Sequence, residues 1–150
     1  MNPHEFLTGP FQRVQLIREE SAITLMFRCA GDVWGYEPLR DLLRHADREH
    51  FFSLALDNKH KLIAVELVSI GSMTTAIVHP REVYTGLLLS KACAWIAVHN
   101  HPSGDPTPSA EDISLTRRLR EAADMLGIPF LDHLIFGGDR YVSFVDDGYW

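Results

Sequence analysis

The sequence predicts an α/β domain folded around a mixed sheet. Three features lead there. Apolar runs of strand length alternate with segments whose apolar residues recur every three to four positions, as on amphipathic helices. Tight polar turns join strand candidates near both ends of that pattern, which makes hairpins. Helical segments between strands supply the crossovers that parallel neighbours need. A chain of 150 residues, 46% of them hydrophobic, suits one compact domain with its own core.

Taken in order, residues 1–12 hold Pro3, Gly9 and Pro10 and read as a loose arm. Residues 14–20 and 22–27 have the composition of short edge strands. A helix is expected from 37 to about 46, because Leu39, Leu42, Leu43 and Ala46 recur at helical spacing. Residues 50–57 read as a strand, 57–60 as a turn and 61–71 as the returning strand of a hairpin. A third strand is expected at 74–79. Pro80 then opens a helix, since proline is tolerated in a first turn. It runs to about Lys91 and buries Val83, Leu87 and Leu88. Residues 93–99 form a buried strand, and 101–109, with three prolines and a glycine, a rigid loop. The helix at 110–126 has marked ends, with Ser109 as N-cap and Gly127 and Pro129 as the stop. Strands at 130–136 and 141–145 flank a Gly-Gly-Asp turn. Residues 1–35 are thus an arm with edge strands, and residues 36–150 the domain.

Composition narrows the function classes. A net charge of −6 disfavours a nucleic-acid binder, which needs basic patches to displace counterions from phosphates. The local cluster Arg117, Arg118 and Arg120 reads as a solvated helix face. Cys29 and Cys93 match neither a CxxC pair nor a disulfide framework, and each reads as a buried small hydrophobe. With no leader-like segment and no apolar run near the roughly 20 residues of a membrane span, a reducing cytoplasm is expected. HExxH, the deaminase HxE with PCxxC, GxSxG, Walker and GxGxxG motifs are all absent.

The chemistry concentrates between residues 99 and 112. Side chains alternate along a strand, so His99 and His101 point the same way at its end. The proline-rich loop turns the chain back, and Asp112 falls in the first turn of the following helix. Two imidazoles and one carboxylate would leave a fourth tetrahedral position open, the layout of a catalytic rather than a structural zinc. Water there would have a pKa near about 7. Ser109-x-x-Asp112 also reads as a capping box. The two readings are compatible, since a capping serine can still present its hydroxyl to a substrate.

The spacing H-x-H, seven residues, S, two residues, D is the JAMM metalloprotease signature. The sequence resembles the JAB/MPN superfamily that bears it, through His99, His101, Ser109 and Asp112. The likeness is to the RadC-like branch. VHPREV at 78–83, HNHPSGDPTPS at 99–109, Glu111-Asp112, LDHLIF at 131–136 and YVSF at 141–144 carry it, from about residue 48 to the end. Residues 1–35 resemble nothing in it and offer no room for the helix-hairpin-helix region of full-length RadC proteins.

The resemblance implies an α-β-α sandwich of cytidine-deaminase-like architecture, a zinc ion and an upstream glutamate as general base. Glu49, just after a helix and before a strand, matches the family's placement. Glu66, mid-strand between Ala64 and Val68, is the alternative, because an unpaired carboxylate there would be costly to bury. The resemblance further implies that Ser109 donates to an oxyanion. His133 is read as supporting the ligands from behind, and Asn100 as facing away from the histidines and fixing the loop. The leading expectation is a zinc peptidase or isopeptidase acting on a peptide or protein. A metal-dependent nucleic-acid-processing protein and a non-catalytic MPN interaction module are the alternatives.

Overall fold

A computed structural model describes residues 24–71 and 78–150. Its elements are α1 (Ala30–Trp34), α2 (Glu37–His45), β1 (His50–Leu56), β2 (Leu62–Ile70), α3 (Pro80–Leu89), β3 (Ala94–Asn100), α4 (Ala110–Leu126), β4 (Phe130–Gly137) and β5 (Arg140–Ser143). The five strands form one sheet in the order β2-β1-β3-β4-β5. Only β3 and β4 run parallel, joined by α4; the other pairs are antiparallel. This is the predicted mixed sheet, and helices cover both of its faces.

Two apolar clusters form the core. One contains Phe27, Ala30, Val33, Leu39 and Leu43 against Phe52, Leu54, Leu56, Ile96, Val98, Leu134 and Phe136, so α1 and α2 lie on that face. The other sets Val83, Tyr84 and Leu87 of α3 and Leu115, Leu119 and Ala123 of α4 against Phe51, Ala55, Trp95, Ala97 and Phe130. The Tyr84 hydroxyl donates to the Leu119 carbonyl at 2.6 Å and ties these two helices together. Among the described residues no helix is long and apolar enough to cross a membrane.

Most predicted elements stand within a residue or two of their expected ends. Helix α4 has the predicted bounds, with Gly127 in the left-handed conformation that its stop requires (φ 69°). Several expectations change or fall outside what is described. Residues 1–23, with the first edge strand and part of the second, lie outside the described residues, as do residues 72–77 of the expected third strand. Val78 and His79 are not in a strand. Residues 24–27 contribute a single antiparallel bridge, Met26 to Lys61, rather than a strand. Helix α1 had no predicted counterpart; Asp32 supports its start by accepting from the Cys29 backbone. Cys29 and Cys93 are exposed, not buried, because both sit in turns at element starts rather than on a packed face. Leu42, part of the apolar spacing that predicts α2, is also exposed, and so is Leu88, expected to be buried by α3: the packed face of that helix is Val83, Tyr84 and Leu87, and Leu88 lies off it.

Candidate metal centre

The site sits where β3 ends and α4 begins, the position at the carboxyl ends of strands that open α/β sheets use for ligands. Trp95, Ala97 and His99 share one face of β3, and His101 follows two residues on. Ser109 caps α4. Its Oγ accepts from the Asp112 N–H at 3.1 Å, and Asp112 Oδ2 accepts from the Ser109 N–H at 2.8 Å. The capping box is therefore real, and it aims the Asp112 carboxylate at both histidines. His99 Nε2 lies 3.2 Å from Oδ1 and His101 Nε2 3.2 Å from Oδ2. The two Nε2 atoms are 3.1 Å apart.

These separations decide whether the residues suit an ion. A tetrahedral centre with bonds of about 2.0–2.1 Å has edges of roughly 3.3–3.4 Å, close to the distances seen. One ligand atom from each of the three residues lies within 4.8 Å of the others, the one such cluster among the described residues. The donors are imidazole nitrogen and carboxylate oxygen, which fit zinc.

The far nitrogen of each ring is held. His101 Nδ1 lies 2.8 Å from the Asp105 carbonyl oxygen, so it carries the proton and donates it. His99 Nδ1 lies 2.8 Å from His133 Nε2, and His133 Nδ1 lies 2.6 Å from Thr116 Oγ1. Such contacts orient ligand rings. Burial opposes charge on His101, but the carboxylate of Asp112, the carbonyl of Asp105 and the charge of Glu49 outweigh it and hold the ring above its ordinary value. Burial pushes Asp112 up, yet His101, His99 and the Ser109 N–H hold it far below the usual carboxylate range. Burial drives the His133 ring well below its ordinary value, and neighbouring His99 adds to that.

A family model described as the RadC-like JAB domain matches residues 29–149. The chain belongs to this family. The JAB domain is also 48% identical over 126 residues to a UPF0758 protein of Desulforamulus reducens, covering 83% of this chain and 54% of that one. A UPF0758 protein of Caldanaerobacter subterraneus is 50% identical over 112 residues, 75% of this chain and 48% of the relative. One from Pelobacter propionicus is 53% identical over 106 residues, 71% of this chain and 46% of the relative. The chain spans about half the length of the curated relatives it matches.

The predicted residues divide clearly in this JAB domain. His99, His101 and Asp112 come together as the sequence suggested. Glu49 is 8% exposed, and its charge acts on His101. Continuing the antiparallel register outward from the Phe51–His99 pair sets Glu49 beside His101. Glu66 shares that sheet face but lies on the outer strand opposite Ser53, against Gly86 of α3. Burial raises its carboxyl. Ser109 is exposed, and its cap consumes an oxygen lone pair rather than its proton.

His133 is fully buried and bonded to His99. Asn100 does face away from the histidines, but the loop it holds is a different one. Its Oδ1 accepts from the His50 N–H at 2.8 Å and its Nδ2 donates to the Arg48 carbonyl at 3.0 Å, so it grips the backbone on both sides of Glu49. Sequence reading missed Thr116. The available signal was its position four residues after Asp112, where a helical hydroxyl reaches back to a carbonyl.

Proposed function

We propose that this JAB domain is a zinc-dependent hydrolase that cuts peptide or isopeptide bonds in a peptide or protein substrate. The observation that carries the reading is the convergence of His99 Nε2, His101 Nε2 and the Asp112 carboxylate at near-tetrahedral edge distances. A zinc ion held by these residues would supply Lewis-acid polarisation of a carbonyl and acidified water.

The chain's own groups divide the remaining work. Glu49 takes the water proton on its carboxylate and returns it to the leaving amine nitrogen. Its burial, its place just before the end of β1 that pairs with His99, and its charge acting on His101 favour it over Glu66. The Ser109 hydroxyl, whose proton the cap leaves available, donates to the developing oxyanion. The Asp105 carbonyl holds the His101 ring in place. The net charge of −6 favours a protein substrate over DNA.

The test is metal content followed by hydrolysis. Protein prepared with zinc present is expected to hold about one ion per chain. Glu49→Gln should keep the ion while peptide or isopeptide hydrolysis falls by about 10²–10⁴-fold. Wild-type chain that emerges metal-free from zinc-replete preparation would overturn the reading.

A further inference from the structure

Behind the candidate ligands runs a chain of groups whose protons can be assigned one at a time. It starts at a group with no choice. The Asp112 backbone carbonyl can only accept, and Thr116 Oγ1 lies 2.8 Å from it. The single hydroxyl proton of Thr116 therefore points to that carbonyl. Thr116 Oγ1 must then accept in its other contact, the 2.6 Å approach of His133 Nδ1. His133 is fully buried, where a charged ring is disfavoured, so it carries one proton, on Nδ1. Its Nε2 is then an acceptor. It faces His99 Nδ1 at 2.8 Å, which must donate.

We infer that Thr116 and His133 are positioning residues that fix the His99 ring with its proton on Nδ1, leaving Nε2 aimed at His101 and Asp112. The inference rests on the metal reading above and extends it to residues outside the ligand motif. Three elements take part: α4 sets the direction at Asp112 and Thr116, β4 passes it on through His133, and β3 receives it at His99. One residue, Asp112, contributes both ends of the device. Its carbonyl orders the protons, and its carboxylate faces the nitrogen that they leave available.

The β4 geometry makes this contact. Trp95 pairs with Phe130, but Ile96 pairs with Asp132, so Leu131 is an extra residue in the ladder. Bulges of this kind re-aim side chains beside sites. Here the bulge brings His133 onto the face of Phe130 and His99, opposite Ala97. The ring stacks on Phe144 at a centroid distance of 4.7 Å, which holds it upright between its two partners.

The experiment has two arms. In wild-type protein labelled with nitrogen-15, ring-nitrogen resonances should report His133 protonated on Nδ1 and bare at Nε2. Zinc affinity is then measured by competition with a chromophoric chelator for wild type, Thr116→Ser and Thr116→Val. The serine keeps the hydroxyl and is expected to match wild type. The valine keeps the shape but strands the buried His133 N–H, and its zinc affinity should fall about 10-fold or more. Circular dichroism checks that both variants are folded. A His133 proton on Nε2 in wild type, or a folded valine variant with wild-type affinity, overturns the inference. If wild type binds no zinc, the metal reading fails, and the resonances alone decide the tautomer. If the valine variant does not fold, the wild-type resonances again decide.

Discussion

The two faces of the sheet are built from alternate residues of the same strands, yet they solve different problems. On the α1/α2 face, Leu54, Leu56, Ile96, Val98, Leu134 and Phe136 form an apolar layer whose order needs only shape and burial. On the α3/α4 face, the apolar stack of Trp95 and Phe130 gives way, at the end of β3, to His99, His133 and Thr116. Those polar groups are buried and bonded in sequence. The difference teaches that a polar site inside a core survives where every proton and lone pair has an assigned partner. The same pair of strands can then carry a tolerant face and an exacting one.

Adjacent residues of β3 give the sharpest break. His99→Ala should abolish zinc retention, read as metal content after dialysis. Val98→Ala, on the opposite face, should leave metal content unchanged while costing roughly 2 kcal/mol of stability, two buried methyl groups at about 0.8 kcal/mol each. Equal metal loss in both would erase the distinction between the faces.

A smaller effect is expected at the edge of the site. A Cβ on Gly137 of β4 would come within 2.6 Å of the Pro106 nitrogen and 2.9 Å of the Asp105 carbonyl carbon. The neighbour is backbone and cannot step aside cheaply. Gly137→Ala should cost about 1–3 kcal/mol in denaturant unfolding. It should also weaken zinc binding, because the displaced Asp105 carbonyl holds the His101 ring.

Asn100 lies on the tolerant face but serves the exacting one. Asn100→Ala would leave the half-buried His50 N–H without its acceptor and cost about 1 kcal/mol. Both histidines and Asp112 stay in place, so zinc content should persist. Hydrolysis should fall with the loosened backbone of Glu49. Loss of zinc in this variant would mean that the residue supports the ligands and not the glutamate segment.

For stability and zinc binding, as distinct from hydrolysis, only a mild change is expected at the cap of α4. Ser109→Ala removes the acceptor for the Asp112 N–H and should cost about 1 kcal/mol in thermal or denaturant unfolding. Zinc should bind less tightly by a modest factor, since the capping box helps to aim Asp112. Full retention of stability would show that the Ser109 N–H contact to the carboxylate is sufficient by itself.

Much of the fold and of the candidate site is legible in the sequence alone. Helix α4 could be bounded to the residue because its signals are local: Ser109 and Asp112 satisfy its first N–H groups, and Gly127 adopts the left-handed stop. His99 and His101 could be matched with Asp112 because strand alternation and a single helical turn set their directions. Helix α1 escaped because five residues carry too little periodicity to announce a helix. The cysteines misled because apolar character says nothing about whether a turn lies at the surface.

The amino-acid pattern alone therefore specifies most features written strongly over a few neighbouring residues: the main strands, the α4 cap and stop, and three candidate ligands on one short segment. Only the tertiary structure decided which distant groups meet. The extra residue at Leu131 turns His133 toward His99, Asn100 reaches across to the backbone around Glu49, and Glu49 precedes β1 at its His99 end, where its charge acts on His101, while Glu66 lies against Gly86. The physical reason is that a one-residue shift in strand pairing exchanges the faces of a strand's side chains. That shift is set by packing between segments far apart in the chain, which no local pattern records.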